Sequence, residues 1–379
     1  MEEQEIKRLI VVGNGFDLAH GLPTSYAHFM NFLQAFHHRY TDKQSQILKN
    51  LLDYRKTDIV TEWLDERVEI FSSLYEALVD YIPEDELWSS FEEALSRLDV
   101  SEVQSKFAET LTPYSSDDWH DSDNHTYPDS IREELGFVEK IPKAFREWIV
   151  ESNIINSSSL PWVVELLRQD FNSNCTLFMS FNYTNTWERL YGVAPQKICY
   201  IHGCATKGTT LIVGHHNSQL LKFGEPEYFY QNDLERKRQD GSIYVPTDEQ
   251  WEKMSDAERD EYSSYLDSVQ PDIEDYEYND PREYQGALAI QEYFSKTYKD
   301  TARIINEHSS FFTKLHGVSE VYILGHSLSD IDLDYFAEIK RRSSNNCVWN
   351  ISYHTEEDKK KAENFAHKLN LAYSSVFHF

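Results

Sequence analysis

The sequence contains no run of about 18 consecutive apolar residues, the length a membrane-crossing helix requires, so no bilayer span is expected. Its four cysteines, Cys175, Cys199, Cys204 and Cys347, include no Cys-x-x-Cys pair. That spacing excludes a four-cysteine zinc knuckle, and so few scattered thiols fit a reducing, cytoplasmic setting. Positive charge is scarce as well: 36 Lys+Arg stand against 65 Asp+Glu, a formal net charge of −29. A surface of that sign repels phosphate backbones and disfavours nucleic acid as a partner. The opening Met1-Glu2-Glu3-Gln4-Glu5 is acidic and precedes only a short apolar run, so no secretory signal is expected there. There is no Gly-x-Ser-x-Gly elbow and no His-Glu-x-x-His pattern. Lys207-Gly208-Thr209-Thr210 carries the residues of a P-loop end in the wrong order.

What is present builds a large folded chain. Hydrophobic residues make up 40% of 379, enough for a sizeable core in two units, or in one large domain with insertions. Residues 7–12 read as a short buried strand ended by Gly13, with a helix after Pro23-Thr24-Ser25 capped by Thr24 or Ser25. Further strands are expected at 175–181, 197–201, 210–213, 321–325, 348–353 and 373–377. Helical spacing runs through Trp63, Val68, Phe71, Leu74 and Leu78, and again through Leu87, Phe91, Leu95 and Leu98. A polar loop is expected over 114–130, a long helix over 284–315, a helix from about Asp330 and a charged helix from Thr355. Apolar strands alternating with helices at both ends predict an α/β fold, a Rossmann-like, mostly parallel sheet flanked by helices with large helical insertions. The organisation expected is core at 1–44, helical insertion at 45–150, core at 160–224, acidic insertion or lid at 225–283, and core at 284–379.

Four strand ends carry candidate chemistry, because ligands on such sheets bind at the carboxyl edge. Gly13-Asn14-Gly15-Phe16-Asp17, then Gly21-Leu22-Pro23-Thr24, has two glycines that permit a tight turn and close backbone approach to a phosphate. Leu18 stands where a dinucleotide fingerprint has its third glycine, so the ordinary dehydrogenase pattern is poorly met. Ser180-Phe181-Asn182-Tyr183-Thr184 sets an amide at a strand end, where it either meets a ligand or caps a helix. Ile201-His202-Gly203 sets a histidine at another, either as a general base or as a hydrogen-bonded turn residue. Gly325-His326-Ser327-Leu328-Ser329-Asp330-Ile331-Asp332 again follows a strand and opens a helix, so Gly325, Ser327 and Asp330 are candidates for phosphate, ribose or capping contacts. The adjacent His215 and His216 have no carboxylate at ligand spacing, and no metal is expected.

In this order the four segments resemble the sirtuin-like superfamily. More closely, residues 13–26 with Phe181-Asn182-Tyr183-Thr184, Ile201-His202-Gly203 and Leu324-Gly325-His326-Ser327-Leu328-Ser329-Asp330 resemble the bacteriophage abortive-infection AbiH-like family, across about residues 10–335. The resemblance implies NAD, as substrate or ligand, at the carboxyl edge of the sheet. It places phosphates on Gly13, Asn14 and Gly15, and Asn182 and His202 at the nicotinamide ribose as the catalytic pair. Asp17, Thr24, Gly203, Gly325, Ser327 and Asp330 are then binding residues. The implied activity is cleavage of the nicotinamide–ribose bond in anti-phage defence. The implied partners are a nucleotide ligand, a second copy of the chain and a phage-derived trigger. Without four paired cysteines, protein deacylation is not expected. The alternative is a nucleotide sensor that binds without turnover.

Overall fold

The computed structural model describes residues 6–52, 66–153, 157–168, 175–269, 278 and 280–379. Six strands form one sheet: β1 (Arg8–Val12), β2 (Thr176–Ser180), β3 (Ile198–Tyr200), β4 (Glu320–Leu324), β5 (Val348–Tyr353) and β6 (Ser374–His378). Their spatial order is β3-β2-β1-β4-β5-β6, and every neighbouring pair is parallel. This is the expected α/β, Rossmann-like class. The order reverses between β1 and β4, where two consecutive crossovers leave in opposite directions and open a crevice beyond the strand ends.

The period of two along β1 sorts its side chains between two cores. Leu9 and Val11 pack with Val321, Ile323 and Phe336 on one face. Ile10 and Val12 pack with Phe16, Phe178 and Trp187 on the other. A strand buried on both faces must be apolar throughout, which is why Leu9-Ile10-Val11-Val12 reads as a continuous hydrophobic run. At its base Arg8 is buried, pairing with Glu320 at 2.8 Å and donating to the Leu166 carbonyl at 3.1 Å.

The chain divides into two compact units, one of residues 1–98, 139–216 and 299–379, the other of 99–138 and 217–298. The first holds the whole sheet. In the second, helices Asp123–Glu134 and Pro281–Lys296 pack closely: a Cβ on Gly286 would meet Tyr127 Cε1 at 2.4 Å. Arg282 is buried there, paired with Asp280 at 2.7 Å and donating to the Thr112 carbonyl at 2.8 Å. No helix among the described residues is long and apolar enough to cross a membrane.

Three local expectations change. Residues 210–213 are not a strand: Ile212 N donates to the His202 carbonyl at 3.0 Å, but the segment joins no ladder of the sheet. Its apolar character reflects burial of Leu211. The polar loop over 114–130 gives way to helix Asp123–Glu134, whose one buried face is Tyr127, Pro128 and Ile131. The helix expected over 284–315 breaks into Pro281–Lys296, Thr301–Glu307 and Ser309–Thr313. Lys299 N turns away to the His215 carbonyl at 2.7 Å, and the Asp300 side chain then caps a new helix by accepting from Arg303 N at 2.9 Å. Trp63 and the part of the acidic stretch at 270–277 lie outside the described residues.

Candidate functional site

A cavity of about 780 Å³ lies at the carboxyl ends of the strands, within the sheet-bearing unit. Its wall takes residues from the ends of β1, β2, β3, β4 and β5. Of the residues expected from sequence, Gly13, Asn14, Gly15, Asp17, Thr24, Asn182, His202, Gly325 and Ser327 line it. Gly203 and Asp330 do not. Gly203 is a turn residue at φ +87°, where a Cβ would meet the Thr210 carbonyl oxygen at 2.2 Å. Asp330 pairs with Lys368 at 2.7 Å on the exposed side of its turn.

The two glycines after β1 make room for protein. A Cβ on Gly13 would stand 2.6 Å from His326 Cα, and one on Gly15 would stand 2.8 Å from the Gly325 carbonyl oxygen. The turns after β1 and β4 are thus laced together at the switch point. Gly13 N donates to the Leu324 carbonyl at 3.1 Å, Gly15 N to the Gly325 carbonyl at 2.7 Å and Phe16 N to the Gly13 carbonyl at 2.9 Å. Gly325 N donates to Ser352 Oγ at 2.8 Å. Four amides that the sequence offers to a phosphate are engaged by the protein itself.

Asn182 and Asp17 tie β2 to this turn. Asn182 Nδ2 donates to the Gly13 carbonyl at 3.0 Å. Asp17, almost fully buried, accepts from Thr184 Oγ1 at 2.6 Å and Thr186 Oγ1 at 2.7 Å. Burial pushes its carboxyl up to about 6, against the opposing pull of these hydrogen bonds.

The floor of the cavity is built around Asp332. His326 Nε2 stands 3.5 Å from Asp332 Oδ2, and His202 Nε2 stands 3.8 Å from Asp332 Oδ1. Leu328 N donates to His326 Nδ1 at 2.9 Å, which leaves the proton of a neutral ring on Nε2, facing the carboxylate. Burial and the Lys299 charge hold His326 down to about 3, and the same causes hold His202 well below the ordinary histidine value. His202 also bonds the Phe181 backbone, and its Nε2 has no hydrogen-bond partner among the described residues. Asp332 Oδ1 and Thr24 Oγ1 are buried without partners in the same sense. Asp332 is raised from the usual aspartate value by burial, with Lys299 and His216 drawing it back.

Behind this floor Lys299 has no exposed surface. Its Nζ lies 3.0 Å from Glu92 Oε1 and 3.9 Å from Asp332 Oδ1. Tyr183 Oη donates to the Ile212 carbonyl at 2.8 Å and reaches Glu92 Oε1 at 3.2 Å. Glu92, Asp332, Tyr26, Tyr183 and His326 all line the cavity. Sequence reading quoted Tyr183, His326 and Asp332 within its segments without assigning them roles, and passed over Glu92 and Lys299. Neither had a local signal: Glu92 sits in the acidic pair Glu92-Glu93, and Lys299 in the charged run Lys296 to Asp300.

A neutral His202 whose Nε2 has no partner among the described residues can accept a proton or a hydrogen bond, and the Asp332 carboxylate beside it favours positive charge. In comparison with known proteins, the model of the family described as bacteriophage abortive infection AbiH matches residues 9–353. No curated protein and no solved structure matches the chain.

Proposed function

The chain belongs to the bacteriophage abortive infection AbiH family, and from that premise we propose that it is an abortive-infection effector that hydrolyses NAD to nicotinamide and ADP-ribose. The observation that carries this reading is the cavity at the carboxyl edge of a 3-2-1-4-5-6 sheet, with an unpartnered His202 Nε2 beside the Asp332 carboxylate on its floor. A volume of about 780 Å³ falls in the range of cavities that hold small ligands, and the switch point is where such sheets bind them. A sirtuin-like ancestry is part of the proposal and rests on the order of the four strand-end segments.

In the overall reaction the C1′–N bond breaks with its electron pair going to the pyridine nitrogen. A water oxygen bonds C1′, and the proton that water loses must be accepted. His202 is the acceptor in this scheme: burial favours its neutral form, it lines the cavity, and its Nε2 has no hydrogen-bond partner among the described residues. Asp332 and Glu92 supply negative charge where the ribose becomes positive, and a buried carboxylate does this with little solvent screening. Asn182 acts through the turn, holding Gly13 so that the β1 and β2 ends keep their spacing.

Nicotinamide release from NAD by the purified protein, beside His202→Ala and Asn182→Ala, tests the reading. Release by the wild type, reduced about 10²–10⁴-fold in His202→Ala, is the expected result. Release that is unchanged in His202→Ala overturns the role of the histidine. No release, with a rise in melting temperature on adding NAD, makes the protein a nucleotide sensor instead.

A further inference from the structure

The charge of the cavity wall limits what can enter it. No lysine or arginine is among the described residues that line it, which include the carboxylates Asp17, Glu92, Asp332 and Asp358. Lys299 Nζ, 3.0 Å from Glu92 Oε1 and 3.9 Å from Asp332 Oδ1, has no exposed surface. One ammonium thus faces two carboxylates, and when both are ionised the group keeps a surplus negative charge toward the cavity. On the same floor His202 Nε2 and Asp332 Oδ1 stand 3.8 Å apart, each without a hydrogen-bond partner among the described residues. His202 is 3% exposed and lines the cavity, so this unpartnered acceptor lies in the cavity wall. Two acceptors side by side call for a ligand that brings hydrogen-bond donors and positive charge. A pyrophosphate brings neither, and the backbone amides of Gly13, Gly15, Phe16 and Gly325 that would hold one are already engaged.

We propose that the floor formed by Glu92, Asp332 and His202, backed by Lys299, is a cation-recognising subsite that binds the positively charged N-ribosyl pyridinium half of a nicotinamide compound in preference to its phosphates. This rests on the reading of the cavity as a nicotinamide-nucleotide site and names the chemistry that the site selects. The ribose hydroxyls supply donors to His202 Nε2 and Asp332 Oδ1, and the pyridinium supplies the charge. The reduced, dihydropyridine form is neutral at the ring and loses the electrostatic part of the binding. Thr24 Oγ1, a third buried polar atom lining the cavity without a partner among the described residues, is a further contact for the ribose.

The test is calorimetric and needs no turnover. Nicotinamide riboside, its reduced form and ADP-ribose are titrated into the wild type, Asp332→Asn and Glu92→Gln. Nicotinamide riboside is expected to bind the wild type at least tenfold more tightly than either of the other two. Asp332→Asn is expected to erase that preference while keeping the wild-type circular dichroism spectrum. Glu92→Gln serves as the second variant. Equal binding of the riboside and its reduced form, or tighter binding of ADP-ribose than of both, overturns the inference whatever the variants do. A wild type that prefers the cation but releases no nicotinamide from NAD overturns the hydrolase proposal and leaves this inference standing. Release without the preference does the reverse.

Discussion

Lys299 Nζ stands 3.0 Å from Glu92 Oε1, and the lysine has no exposed surface at all. Among the described residues, the carboxylates that face this enclosed ammonium are Glu92 and, at 3.9 Å, Asp332. The same residue also fixes the backbone path: Lys299 N donates to the His215 carbonyl, and the helix that ends at Lys296 does not continue through it. The ion-paired floor of the cavity and a helix break therefore share one residue.

Replacement of this ammonium is the first prediction. Lys299→Met keeps the length of the side chain and leaves two buried carboxylates without their cation. Loss of one partner of a buried pair typically costs about 3–5 kcal/mol, and a loss of that size in denaturant-unfolding free energy is expected here. Adding Glu92→Gln to Lys299→Met removes one of the stranded charges and should recover part of the loss. If the double variant is as unstable as the sum of its single changes, Lys299 and Glu92 are not coupled in the way their distance indicates.

Close approach of the turns after β1 and β4 gives a second prediction. Gly15→Ala puts a methyl 2.8 Å from the Gly325 carbonyl oxygen and 2.9 Å from Gly325 Cα, both backbone atoms that cannot rotate away. Overpacking of this kind typically costs about 1–3 kcal/mol, so a lowered melting temperature is expected. Gly136→Ala, where nothing lies within 4 Å of the added Cβ, is the control and should melt close to the wild type. Equal melting of both variants would show that the laced turns tolerate displacement.

The sheet was legible because buried parallel strands advertise themselves. Leu9 to Val12 is a short apolar run, Val348 to Tyr353 sets Val, Trp, Ile and Tyr around Asn350 and Ser352, and the observed strands follow both closely. The segment at 210–213 carries the same composition without pairing, since hydrophobicity records burial and not hydrogen-bond partners. The helix Asp123–Glu134 was hidden for the opposite reason: one narrow buried face lies under a polar surface. Of the eleven candidate site residues, nine come together at one cavity. Glu92 and Lys299 could not be read, because a buried ion pair formed between distant parts of the chain looks in sequence like two ordinary surface charges.

Asp17 supplies a prediction on stability and pH. Its carboxyl is raised from 3.8 to about 6 in the folded protein, chiefly by burial. Below 3.8 the folded and unfolded states both hold the proton, and the full contribution to stability is present. Between 3.8 and about 6 the unfolded chain ionises first, so this contribution is lost as pH rises through the folded value. The displacement is worth on the order of 3 kcal/mol. Asn at this position does not titrate. The unfolding free energy of Asp17→Asn, relative to the wild type, should therefore improve by about that amount between pH 3.5 and pH 7. A difference that stays flat across the interval would show that the Thr184 and Thr186 hydrogen bonds hold Asp17 near its ordinary value.

The histidines of the floor make the last prediction, on the pH dependence of ligand binding. His326 is held down to about 3 and His202 well below its ordinary 6.5, so burial keeps both in the neutral form as the pH falls through 6.5. Neither can produce the loss of cation binding near 6.5 that a protonating histidine would cause by repulsion. The loss should come from the carboxylates. As pH falls, Asp332, raised above 3.8 by burial, takes up a proton, and the cavity loses the charge that attracts a pyridinium. Titration of nicotinamide riboside binding against pH should show one acid limb that survives Asp17→Asn and vanishes in Asp332→Asn. A limb that survives Asp332→Asn but vanishes in His202→Ala would mean that His202 gains a proton despite its burial, and the cation-recognising floor would then have to be drawn around the imidazole instead of the carboxylate.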